Sequence, residues 1–159
     1  MTQPGFFSDG DGVPPVVIVD VNKVPRAYRG LTQDWFTYTA DFLPLAAATA
    51  QLENVQVSDD AAFCLVKIAV VATSVDNLTR LTFAPALILV QDGSSNRNLA
   101  DAETHIHNLV GTGEEPAMVT PARVFARAST IAVQLRNLEA VARNYRVALI
   151  GFKVFPSAD

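Results

Sequence analysis

The chain holds two histidines, His105 and His107, and they stand two residues apart. On a strand, Glu103, His105 and His107 would line one face, and three such donors are the start of a metal site. The remaining requirements fail. A third imidazole is missing, the residue four beyond His107 is Gly111, and Glu114 comes later still. On a helix, residues two apart point about 200° away from each other, which separates the rings. The spacing is that of two surface histidines, and no metal or other cofactor is expected.

Other motifs shrink in the same way. Gly111-Thr112-Gly113-Glu114-Glu115-Pro116 lacks the Lys-Ser/Thr of a phosphate loop, and two carboxylates follow where phosphate would sit. Asp9-Gly10-Asp11-Gly12 has the opening of a calcium loop without the closing glutamate. Cys64 stands between Phe63 and Leu65 in an apolar run, where a thiol packs and finds no activating base. No Gly-x-Ser-x-Gly elbow occurs. No catalytic residue is assigned, and the chain reads as non-enzymatic.

Composition narrows the class further. Of 159 residues, 50% are hydrophobic and 18% charged, which excludes global disorder and fits a single core. A net charge of −4 and a pI near 5.1 argue against nucleic-acid binding by bulk electrostatics. One cysteine permits no intrachain disulfide. The N-terminus has neither the basic nor the apolar region of a secretory signal, and no apolar run approaches the ~18–20 residues of a membrane span. A soluble protein made in a cytoplasm, with no membrane partner, is the expectation.

The elements that must position any surface are mostly strands. Residues 1–15 alternate glycine, proline and aspartate and read as a flexible arm, ahead of one domain over 16–159. Val16–Val21 is a β-branched run. In Asp34–Phe42 the even positions, Phe36, Tyr38, Ala40 and Phe42, face a core. Ala46–Val57 and Ala61–Thr73 follow as strands, then Leu81–Gln91 with Pro85 at a bulge or edge. Asn98–Val110 has helical spacing, with Asn98 as its N-cap, and fits a short surface helix or an ordered loop. Thr130–Arg136 alternates cleanly, and Arg143–Phe155 is apolar on both faces. Strands at this spacing indicate an all-β, antiparallel β-sandwich or jelly roll.

Charge is unevenly spread. Residues 121–159 hold Arg123, Arg127, Arg136, Arg143, Arg146 and Lys153 against Glu139 and Asp159. Basic groups here are not interleaved with aromatics as a nucleic-acid groove requires. Arginine's planar fork suits protein interfaces. A solvated face is the plainer reading; self-association or docking on an acidic surface is the functional one.

Several segments together resemble the jelly-roll structural proteins of tailed bacteriophage virions, notably capsid cement or decoration proteins. They are Ser58-Asp59-Asp60-Ala61-Ala62-Phe63, the Asp92…Ser95-Asn96-Arg97 turn, the Gly111-Thr112-Gly113…Pro116 loop, Ala128–Val133 with Asn137-Leu138, and Tyr145–Lys153. The resemblance covers roughly residues 34–155. It implies an antiparallel sandwich, a homotrimer as in many members, no catalysis, and the major capsid protein or another virion protein as partner on the capsid surface. Runs 61–73 and 143–155 offer more apolar face than one core needs, so a trimer contact is expected there. Phe6, Phe7, Trp35, Arg97, Arg123, Arg127, Arg136, Arg143 and Arg146 are the candidate assembly residues. Phe6 and Phe7, flanked by Asp9 and Asp11, would anchor the arm on the assembly. Two other readings stay open. A tail or fibre module would bind a partner protein or a host glycan through an aromatic such as Trp35. A degenerate cupin-type enzyme would need a metal on the histidine pair.

Overall fold

Alternation of apolar and polar residues is converted here into two walls. The structure, a computed structural model, describes residues 31–82, 84–112 and 114–156. The expected arm and the Val16–Val21 strand lie outside the described residues. The strands are β1 (Gln33–Leu45), β2 (Ala50–Gln56), β3 (Ala62–Ser74), β4 (Ala86–Asp92), β5 (Arg97–Asn98), β6 (Thr104–His105), β7 (Ala117–Phe125), β8 (Thr130–Asn137) and β9 (Arg143–Val154). One helical turn, α1 (Ile106–Leu109), completes the set.

One sheet runs β1-β9-β3-β7, the other β2-β8-β4-β5, with β6 also on β4. Every strand pairing is antiparallel. With β5 and β6 taken as two pieces of one edge strand, this is the strand order of a jelly roll, in which successive strands alternate between the sheets over much of the chain. The all-β sandwich expected from the sequence is what forms.

The core between the walls takes Ala40, Phe42 and Leu45 from β1 and Ile131, Val133 and Leu135 from β8, all essentially inaccessible. Phe63, Phe125 and Tyr145 are its largest members besides Phe42. Each such side chain stabilises by roughly 1.5–3 kcal/mol when fully buried. On β3 the inward positions change parity. Phe63 and Leu65 point in before a register shift between Leu65 and Lys67, Ile68 and Ala72 after it. The extra residue is Val66, and an added residue is what flips the inward set.

Opposite that bulge, Gly151 of β9 lies against β3. A Cβ there would stand 2.0 Å from the Cys64 carbonyl oxygen, so only glycine permits the approach.

Four expectations change. The strand read over Leu81–Gln91 begins only at Ala86, because Pro85 has no N–H for the ladder; its carbonyl instead accepts from Leu138 N–H at 3.1 Å. Of the two readings of Asn98–Val110, helix or ordered loop, the helix reduces to α1, since β4 claims the backbones of Arg97–Asn98 and Thr104–His105. Asn98 sits in β5 and His105 is the N-cap. The apolar spacing there reflects Leu99, Ile106 and Leu109 reaching the core from an irregular path. Strand β7 is missing from the sequence reading because Pro121 interrupts its pattern. Finally, Ala46–Thr49 is a turn rather than strand, with Ala48 at φ 51°.

Replacing Gly151 by alanine should cost about 1–3 kcal/mol, the range for forcing atoms into a filled space. Urea unfolding of the variant against the parent measures it, and an unchanged midpoint would contradict the close approach.

Candidate functional site

The histidine pair is built by the junction of β6 and α1. His105 Nδ1 accepts from the His107 backbone N–H at 3.4 Å, and the rings stack with centroids 5.1 Å apart. The rings are therefore together, against the expectation that a helical path would part them, because the helix begins only at Ile106. Glu103 does not join them. Its carboxylate accepts from Gln134 Nε2 at 2.6 Å and from Arg136 at 3.0 and 3.3 Å. Among the described residues no group of three or more His, Cys, Asp or Glu is placed to hold a metal.

The glycine loop is equally committed to structure. Gly111 N–H donates to the Ile68 carbonyl, and its own carbonyl accepts from Val70 N–H at 2.8 Å. Thr112 N–H donates to Glu115 O, and Thr112 Oγ1 accepts from Glu115 N–H. These amides serve turns and a bridge to β3, so none is presented as a phosphate cradle. Cys64 is fully buried, and burial pushes its thiol up to about 12, which leaves no thiolate near neutral pH.

The candidate assembly residues divide. Phe6 and Phe7 lie outside the described residues. Trp35 is 47% exposed on the outward side of β1, with Lys67 Nζ 6.0 Å from its ring centroid. Three of the arginines have acidic partners within the chain. Arg136 pairs with Glu103, Arg143 with Glu139, and Arg146 binds both oxygens of Asp41 at 2.6 and 2.8 Å across β1 and β9. Arg123 shares its row with Leu65 and Gly151, on the inward side, and its Nε is buried without a hydrogen-bond partner. Arg97 and Arg127 are exposed and make no ion pair among the described residues. Their turns adjoin, because Gly93 N–H donates to Thr130 O at 2.7 Å and Ala128 N–H to Ser58 O at 3.0 Å.

The opposite end of the sandwich exposes several large aliphatics among polar residues, and the sequence reading missed them. Ala48 N–H donates to Glu139 O, tying the β1–β2 turn to the β8–β9 turn. Leu43, Leu138 and Val141 stand exposed around these turns at 54%, 46% and 48%. Val75 and Leu78 are exposed on the turn that follows β3, Leu78 at 69% with φ 55°. Beside them, on the outward side of the β1-β9-β3 wall, is a groove of about 470 Å³ lined by Leu43, Val71, Thr73, Leu78, Asn144, Tyr145 and Arg146. The available signal was large aliphatics inside turns, where polar residues are usual.

Asp92 secures the other end. Burial works to raise its pKa, but the hydroxyls and amides of Ser94 and Ser95 outweigh that and hold the carboxyl below its ordinary value. No family model, curated protein or solved structure matches the chain.

A lowered folded-state pKa adds stability that is present above the unfolded value of about 3.9 and is lost as pH falls through the folded one. Asp92→Asn should melt several degrees below the parent at pH 7, and the gap should narrow in melts taken below about pH 3.9. A gap independent of pH would contradict the role assigned to the charge.

Proposed function

We propose that this chain is a non-enzymatic structural protein of a tailed-bacteriophage virion, a cement or decoration protein that binds the assembled head and stabilises it. The observation that best supports an assembly role is the polarity between the two ends of the sandwich. Leu43, Val75, Leu78, Leu138 and Val141 expose large aliphatics at one end, and Arg97 and Arg127, which make no ion pair among the described residues, stand at the other. Large apolar side chains exposed together at one end of a domain are suited to a contact surface. The virion reading itself rests on the resemblance of the turn and strand segments to that family.

On this reading the apolar end and its groove meet the major capsid protein or a neighbouring copy, and a trimer is the expected oligomer. Arg97 and Arg127 are suited to acidic groups on a shell, since an arginine without an internal carboxylate partner keeps its fork available. The arm residues Phe6 and Phe7 would add a second anchor. A tail or fibre module is the second reading. Trp35 favours it, since a half-exposed indole on a flat sheet face is suited to stacking on a sugar ring.

Leu78→Asp with Val141→Asp, made in the full chain, should reduce co-sedimentation with heads of the source particle by on the order of tenfold, as expected for losing hot-spot contacts. Far-UV circular dichroism should stay β-dominated. Antibody-gold labelling in electron microscopy should place the parent on the shell; gold confined to the tail would favour the second reading. Undiminished head binding by the double variant would reject the apolar end as the contact. Light scattering coupled to size exclusion should report a trimer, and a monomer at micromolar concentration would contradict self-association.

A further inference from the structure

Trp35 of β1, Phe152 of β9, Cys64 of β3 and Val124 of β7 form one row across the four-stranded sheet. The neighbouring rows, with Phe63, Leu65 and Phe125, point into the core, so this row points outward. An outward sheet face is ordinarily wetted, and Trp35 at its margin is 47% exposed. The middle is not: Cys64 is 0% exposed, Phe152 1%, Val154 2% and Val66 6%. Among the described residues, the apolar side chains packed against this second cluster are Leu31, Ala122 and Val124, each only partly buried.

Leu31 is also where the described chain begins, and Thr32 is tied to the end of β9 through Phe155 N–H at 3.0 Å. The preceding residues therefore join the fold at the edge of this face. We propose that residues Val16–Val21 of the same chain cover the outward face over Cys64, Phe152 and Val154. In an extended segment Val17, Val19 and Val21 share one side, and Asp20 falls on the other with Val16 and Ile18. That composition suits lying flat on an apolar wall. The connection is long enough. Residues 22–30 reach about 30 Å when extended, and a four-strand wall is about 15 Å across. This inference does not rest on the virion reading. It leaves Met1–Pro15 as the part of the arm available to a partner.

The sole thiol, Cys64, and the sole tryptophan, Trp35, share this row, so they report its cover directly. In the full-length parent, Cys64 should react with a dithionitrobenzoate reagent only as slowly as the folded chain opens. A Val17→Asp, Val19→Asp double variant should label on the order of tenfold faster, the mark of local rather than global opening, with a red-shifted Trp35 emission and an unchanged far-UV spectrum. If that variant does not fold, Val17→Ala with Val19→Ala gives the same reading, its labelling rate compared with its own unfolding rate in urea. Labelling within about twofold of the parent in a folded variant would overturn the proposal, since the cover would then not open locally. So would protection that is lost on dilution, which would assign the cover to a second copy.

Discussion

The contact between Gly151 and the Cys64 carbonyl is the constraint on which the first wall depends. Strand β9 lies between β1 and β3 and pairs with each over nearly its whole length. A strand held on both sides has no freedom to slide, and a one-residue slip would turn every inward side chain outward. The Val66 bulge is accommodated where β9 carries no side chain, so register is kept on both sides of it. Tyr145, Val147 and Leu149 then remain in the core from one end of β9, and Phe152 and Val154 face outward from the other.

Two buried polar groups hold the ends of the sandwich. Asn137 is fully buried, and its Nδ2 donates to the carbonyls of Leu45, Ala46 and Val141. Its Oδ1 accepts from Glu139 N–H and from the Tyr145 hydroxyl. One side chain thus joins the end of β1, the turn after it and the β8–β9 turn. Burial, with the Glu139 charge adding to it, pushes the Tyr145 phenol up to about 12, so it stays a donor to Asn137 across the neutral range. Asp92 does the equivalent work at the far end through two serines. Satisfied networks of this sort set loop geometry more than they add net stability.

Because the ends are held, the exposed groups on them are presented on rigid turns. The apolar end stands over the Asn137 network, and Arg97 and Arg127 stand near the Asp92 turn. Rigid presentation lowers the ordering cost of an interface, which is the physical ground for reading these surfaces as contacts. The histidines differ. Glu103, on the approach to β6, is engaged by Gln134 and Arg136 of β8.

Much of the fold was legible in the residue order. Alternation at 34–42 and 130–136 marked β1 and β8 and their inward faces, and the continuous apolar runs marked β3 and β9, because a period of two is a local property of an extended backbone. The turn at Asp92–Asn96 was legible for the same reason. Burial of Cys64 could be read from its apolar neighbours, although not that it lies on the outward side. What tertiary structure alone decided were relations between distant segments. Pro121 hid β7, whose existence depends on pairing with β3. The spacing in 98–110 suggested a helix that β4 pre-empts by hydrogen-bonding to that backbone. Three of the candidate arginines met carboxylates far away in sequence or across a turn, and Arg123 turned inward, so charge counting along the chain overstated the free basic surface. The apolar end gathers Leu43 from the end of β1 with Val75, Leu78, Leu138 and Val141 from two separate turns. Local pattern sets which way a side chain points on its own strand; only the pairing of strands sets which side chains become neighbours.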